Sequence, residues 1–177
     1  MKTPKTMAAI SLLILTLAIS GCGPKRPSVG QVDAFMENLI MRMDMTKNAY
    51  NTFINSIPEE ENMVAASIMP TMFKVMGDQM EENRKFIGEH KTFEADDSTK
   101  IRSEALKKAA IDVVDTYIDG TKNEIDEIKK LASRGRTQGD PEIIELLDKF
   151  ESRLVPKYEA FAKIQKELSK DFGIILY

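Results

Sequence analysis

The sequence predicts an all-α protein, an antiparallel bundle of about four long helices. Three observations carry this. Apolar residues recur at spacings of three and four through four long stretches, separated by short polar or Pro/Gly-containing breaks. Methionine, leucine and isoleucine dominate the apolar set, tryptophan is absent and β-branched runs are scarce. Charged residues make up 30% of the chain with both signs interspersed, as on the solvated faces of helices.

The first helix is expected from about Gly30 to Ile57. Ser28 with Gln31 three residues on forms a capping-box pattern. Val32, Met36, Leu39, Met43, Thr46, Tyr50, Phe53 and Ile57 follow a 3.5-residue repeat, in which only Thr46 is polar. Phe35, Ile40 and Ala49 widen this stripe, as a bundle helix requires. Ser56-Ile57-Pro58-Glu59 reads as a turn and a new helix start, with three consecutive glutamates suiting the positive end of the dipole. The second helix is expected to stop near Gly88 and carries the stripe Met69, Phe73, Met76, Met80, Ile87, with Met72 beside it. Pro70 should kink it or split it.

A polar loop from Glu89 to Asp97 carries the single histidine, His90, which reads as a solvated loop residue. The third helix should run from Asp97 or Ser98 to about Arg134, with apolar residues on two faces, so it belongs near the middle of the bundle. One face carries Ile111, Val114, Ile118, Thr121, Ile125, Ile128 and Ala132; the other carries Ala110, Val113 and Tyr117. Gly120 weakens this helix locally. Asp140-Pro141-Glu142 is a strong start for the fourth helix, which carries Ile143, Leu147, Phe150, Leu154, Tyr158, Phe161, Ile164, Leu168 and Phe172 and is interrupted by Pro156. Gly120 lies 15 residues before Gly135, and Pro156 lies 15 after Pro141. In an antiparallel pair these irregularities would share one height, with Pro70 near it, giving a kink plane and a crevice across the bundle. The apolar end, Ile174 to Tyr177, is expected to pack under the bundle; a strand for a partner's sheet edge and a carboxy-terminal ligand are the other readings.

The amino terminus carries a different signal. Lys2 and Lys5 open a basic start, an apolar run extends from about Met7 to Ile19, and Ile19-Ser20-Gly21 leads to Cys22, the one cysteine in the chain. The run is too short to span a bilayer and has the layout of a secretory signal peptide. Ile19-Ser20-Gly21-Cys22 resembles the lipobox of bacterial lipoproteins. The resemblance covers residues 1–22 and implies cleavage before Cys22, lipid on its sulfur and acylation of the new amino terminus. With Gly23 rather than aspartate after the cysteine, it further implies the outer membrane of a Gram-negative cell, facing the periplasm, or the cell membrane of a Gram-positive one. A multiply acylated cysteine holds a protein far more firmly than one chain does, at about 0.8 kcal/mol per buried CH₂. The domain reading is therefore a leader at 1–21, a lipidated cysteine and flexible tether at 22–30, and one helical domain at 31–177. Lys25 and Arg26 in the tether read first as solvated cations and second as contacts to anionic headgroups. Losing Lys2 and Lys5 with the leader takes the formal net charge from −3 to −5, which argues against a nucleic-acid partner.

Catalytic patterns are missing from the sequence. The single histidine, in a polar loop with no nucleophile motif around it, gives no support to a Ser/His/Asp site, and a lipidated Cys22 removes the thiol. Glu-x-x-His pairs, His-Glu-x-x-His and a glycine-rich phosphate loop do not occur. Two carboxylates could run glycosidase chemistry, but the acids here sit at helix starts and on polar faces. The unusual feature is methionine: nine of eleven lie between Met36 and Met80. Met69, Met72, Phe73, Met76 and Met80 on one helical face read first as core filling. Their second reading is a groove for an apolar ligand or partner helix, and the third is a soft-metal site for Cu(I), disfavoured by the lack of His or Cys partners. The expected function is a non-enzymatic, membrane-anchored interaction or structural module with an envelope protein partner and no cofactor beyond the lipid on Cys22. The 3.5-residue seams are compatible with self-association. The alternative is a periplasmic binding protein holding an apolar ligand, lipid or soft metal in the Met-rich groove.

Overall fold

The structure is a computed structural model that describes residues 26–60, 63–94 and 97–176. The expected leader, Cys22 and residues 23–25 of the tether lie outside the described residues; Val29 and Gly30, expected in the tether, already belong to the first helix. Five helices follow in order: α1 Val29–Asn55, α2 Met63–Glu89, α3 Asp97–Gly120, α4 Glu124–Ala132 and α5 Pro141–Phe172. Among the described residues there is no strand, and the helices pack on one another as an all-α bundle.

α1 starts as its sequence dictates. Gln31 N–H donates to Ser28 Oγ at 3.3 Å, and Ser28 N–H donates to Gln31 Oε1 at 2.8 Å. Two backbone N–H groups that the helix cannot satisfy are thereby paired. Every residue of its 3.5-residue stripe is buried, Thr46 included.

α2 passes through Pro70 as one helix, so the expected split does not occur. An internal proline removes one backbone hydrogen bond and costs about 3 kcal/mol. Burial of Ala66, Met69 and Met76 on either side offsets that cost. α5 likewise runs unbroken through Pro156. Its start has Asp140 Oδ1 accepting from Glu142 N–H at 2.9 Å with proline in the first turn, and its end has Gly173 in the left-handed region at φ 65°.

The expected third helix is the one that breaks. Residues 121–123 form a turn between α3 and α4. Lys122 and Asn123 donate to carbonyls three residues back, and Asn123 leaves helical geometry at φ −127°, ψ −109°. Gly120 explains the position. A Cβ there would lie 2.5 Å from Phe150 Cε2 and 2.8 Å from Ile125 Cδ1. The ring of α5 occupies the space a side chain would need, and α4 restarts along α5.

α3 packs against α1, α2 and α5, which is the central place its two apolar faces predict. The common kink plane does not form. Gly120 faces Phe150, which lies six residues, about 9 Å, before Pro156 on α5. Pro70 sits one residue from Met69, whose sulfur accepts from Ser56 Oγ at the far end of α1. The three irregularities are staggered along the bundle. Each end of the bundle is closed by a side chain on backbone carbonyls. Gln138 Nε2 donates to Ile54 O at 3.0 Å at one end, and Lys107 Nζ donates to Gly88 O at 2.6 Å and His90 O at 2.7 Å at the other.

Candidate functional site

Met69, Met76 and Met80 are buried core residues, and Met72 and Phe73 are half-buried. Phe73 packs edge-on against Phe53 at 5.7 Å. Between α1 and α2 lies a shallow groove of about 150 Å³ lined by Thr52, Phe53, Met72, Val75, Met76 and Gln79. Its outer lip continues along α2. Ile68 and Val75 are 48% and 57% exposed, and with Val64 and Met72 they follow spacings of four, four and three. That spacing puts all four on one side of the helix. Among the described residues no group of three or more His, Cys, Asp or Glu side chains could hold a metal ion.

The end of the bundle where α1 begins is tied to the end of α5. Arg26 Nη2 donates to Asp171 O at 3.2 Å, and its guanidinium lies 4.7 Å from the centre of the Phe172 ring. Arg26 remains exposed to solvent and is also held against α5. The apolar tail divides. Ile174 packs on the core and its N–H donates to Ser169 O at 2.9 Å, whereas Ile175 and Leu176 are 73% and 42% exposed.

His90, read as a solvated loop residue, is corrected. Its N–H continues the last turn of α2, bonding to Phe86 O and Ile87 O. Its ring stacks on Phe35 at 5.3 Å and on Phe86 at 6.1 Å. The Arg42 guanidinium lies on the same Phe86 ring, 3.6 Å from its centre. Burial, and then the nearby Lys107 charge, pull the His90 imidazole below its ordinary range. The residue ends a helix and joins an aromatic stack.

A buried polar connection between α1 and α2 went unread as such in the sequence. Asn83 Nδ2 donates to Thr46 Oγ1 at 3.2 Å, Arg42 Nη1 lies 3.4 Å from Asn83 Oδ1, and Arg42 Nε is buried with no partner. Its signal was present: Thr46 is the polar step in the α1 repeat, and Asn83 fills the gap between Met80 and Ile87 in the α2 repeat. Facing polar steps in two apolar seams specify register.

At the junction of α3, α4 and α5 the carboxylates of Asp119 and Glu124 are paired. Glu124 opens α4 and is 3% exposed; Arg153 Nη1 donates to it at 2.6 Å and Lys149 Nζ lies 3.4 Å away. Arg153 also bonds Asp119. Burial pushes the Glu124 carboxyl up, but bonds from its own backbone N–H, Arg153 and Lys149 outweigh this and hold it below the usual carboxylate range. An ionised, doubly paired carboxylate is suited to fastening α4 to α5. A general acid needs the opposite shift. No protein-family model matches this chain, and no curated protein or solved structure does.

Proposed function

We propose that this protein is a lipid-anchored, non-catalytic module of the bacterial cell envelope that offers the outer face of α2 to a partner helix. The observation that carries this is the stripe of exposed Ile68 and Val75 with half-buried Met72 between them, beside the α1–α2 groove. An amphipathic helix laid along it would place apolar anchors in the groove at matching three- and four-residue spacings. Resemblance of Ile19-Ser20-Gly21-Cys22 to a lipobox supports the anchor, and no described helix is long and apolar enough to cross a membrane. Arg26, held against α5, sets the end nearest that anchor. The 27 residues of α1 span about 40 Å, so the stripe, on the opposite half of α2, would stand well clear of the lipid surface.

The Met-rich groove is a weaker reading for a small ligand. At about 150 Å³ it is under the 300 Å³ at which ligand pockets usually begin. Two measurements test the proposal. Cys22→Ser should move the protein from the membrane to the soluble fraction of its host; retention in the membrane would refute the anchor. A photo-crosslinking amino acid at Ile68 or Val75 should give one discrete adduct in cells that the same group at Lys163 on α5 does not. Equal labelling from both positions would refute the docking face.

A further inference from the structure

On the other side of α1, facing α5, a cleft of about 310 Å³ opens onto the buried centre of the bundle. Its floor and walls are apolar and aromatic: Tyr50 from α1, Tyr117 from α3, and Leu154, Val155 and Tyr158 from α5. Beneath them Tyr50, Tyr117 and Phe150 form a closed set of rings, with centres 5.2 to 5.5 Å apart. That set leaves the floor no room to collapse. The volume is near the lower end for ligand pockets and equals the space of about ten waters.

The polar groups do not complete one another. Tyr117 and Tyr158 hydroxyls share one contact at 3.4 Å. Tyr50, 6% exposed, lines the cleft, and its hydroxyl makes no hydrogen bond to any described residue. The ring is enclosed, but the hydroxyl is open to the cleft, where a guest could pair with it. At the rim, Glu151 and Glu159 stand against Lys47 alone, so the mouth has an excess of negative charge. We infer that this cleft is a binding site for a small organic cation with an apolar body, such as a quaternary ammonium.

Each part of the site favours that class. Tyrosine rings attract a cation through their quadrupoles, and more strongly out of water. Burial, and then the charge of Glu151, push the Tyr50 phenol above its ordinary value. Burial, followed by the contact with Tyr158, does the same for Tyr117. Both phenols therefore stay neutral, as hydrogen-bonding groups at the wall of the cleft. The carboxylates at the rim disfavour an anion, and a neutral molecule would gain nothing from them. The site lies away from the α2 stripe, so it stands or falls independently of the docking proposal.

The test compares choline with its uncharged isostere 3,3-dimethylbutan-1-ol by calorimetric titration of the full chain in non-ionic detergent. Choline should bind at least tenfold tighter than the alcohol. Glu151→Gln should weaken choline three- to tenfold and leave the alcohol unchanged. Val155→Trp, at a half-exposed position on the wall, should abolish binding of both with the helical circular dichroism intact. Equal affinity for the two probes, no binding of either, or choline binding that survives Val155→Trp would each overturn the inference.

Discussion

The α1–α2 half and the α3–α5 half of this bundle are packed in different ways. Between α1 and α2 the space is filled by Met43, Met69, Met76 and Met80, and Thr46 and Asn83 meet in a buried hydrogen bond. Between α3, α4 and α5 it is filled by tilted rings, with a glycine notch for Phe150 and the buried Glu124 bonded to Arg153 at the helix break. Methionine is unbranched and adapts to irregular gaps, so α2 carries Pro70 without breaking. Rings do not adapt, and the α3–α4 helix gives way at Gly120 where Phe150 enters. Flexible filling keeps a helix continuous, and rigid filling dictates where a neighbour must stop.

This contrast predicts that the same substitution has opposite signs in the two halves. Its largest effect is Gly120→Ala. The added methyl would meet Phe150 at 2.5 Å, and that ring is held on two sides by Tyr50 and Tyr117. Overpacking of this kind costs about 1–3 kcal/mol, more than the up to about 1 kcal/mol that alanine gains as a helix former. Urea unfolding should show the loss. Phe150→Leu in the same chain should cost less than the two single changes summed, because the two sites share one contact. An additive pair would mean that the notch is not what breaks the helix.

The next effect belongs to Glu124. Its carboxyl is held below its unfolded range, so its stabilising contribution is present above the unfolded pKa of about 4.3. That contribution is lost as pH falls through the folded value. Glu124→Gln should cost about 1–2 kcal/mol at pH 7, a figure kept low because Arg153 and Lys149 are partly exposed. The gap to the unmodified protein should shrink as pH falls below about 4. A gap that is constant down to pH 3 would show that the ion pair is not its source.

Much of this was legible in residue order, and the rest was not for definite reasons. The apolar stripes, the Ser28–Gln31 and Asp140 caps and the central place of α3 follow from spacing, which is a local property. Burial of Met69, Met76 and Met80 follows from it too. The break after Gly120 needed the ring of Phe150, 30 residues away, and a glycine in a helix does not announce what presses on it. His90 read as a solvated residue because its stacking partner Phe35 lies on another helix. The tyrosine cleft was hidden for a related reason. Tyr50, Tyr117 and Tyr158 each fill an ordinary place in a separate apolar stripe, and only the fold brings the three together.

Gly77 gives the smallest effect and the sharpest control on the comparison. It lies inside α2, between the buried Met76 and Met80, and a Cβ there would meet nothing within 4 Å. Alanine in its place narrows the unfolded ensemble and suits the helix, so Gly77→Ala should stabilise the protein by about 0.5–1 kcal/mol. Gly77 and Gly120 are both helical, so backbone propensity alone predicts the same sign for both. Opposite signs in parallel urea titrations would assign the difference to Phe150. Stabilisation at both positions would mean that the ring yields, and the two halves would then be alike in their tolerance.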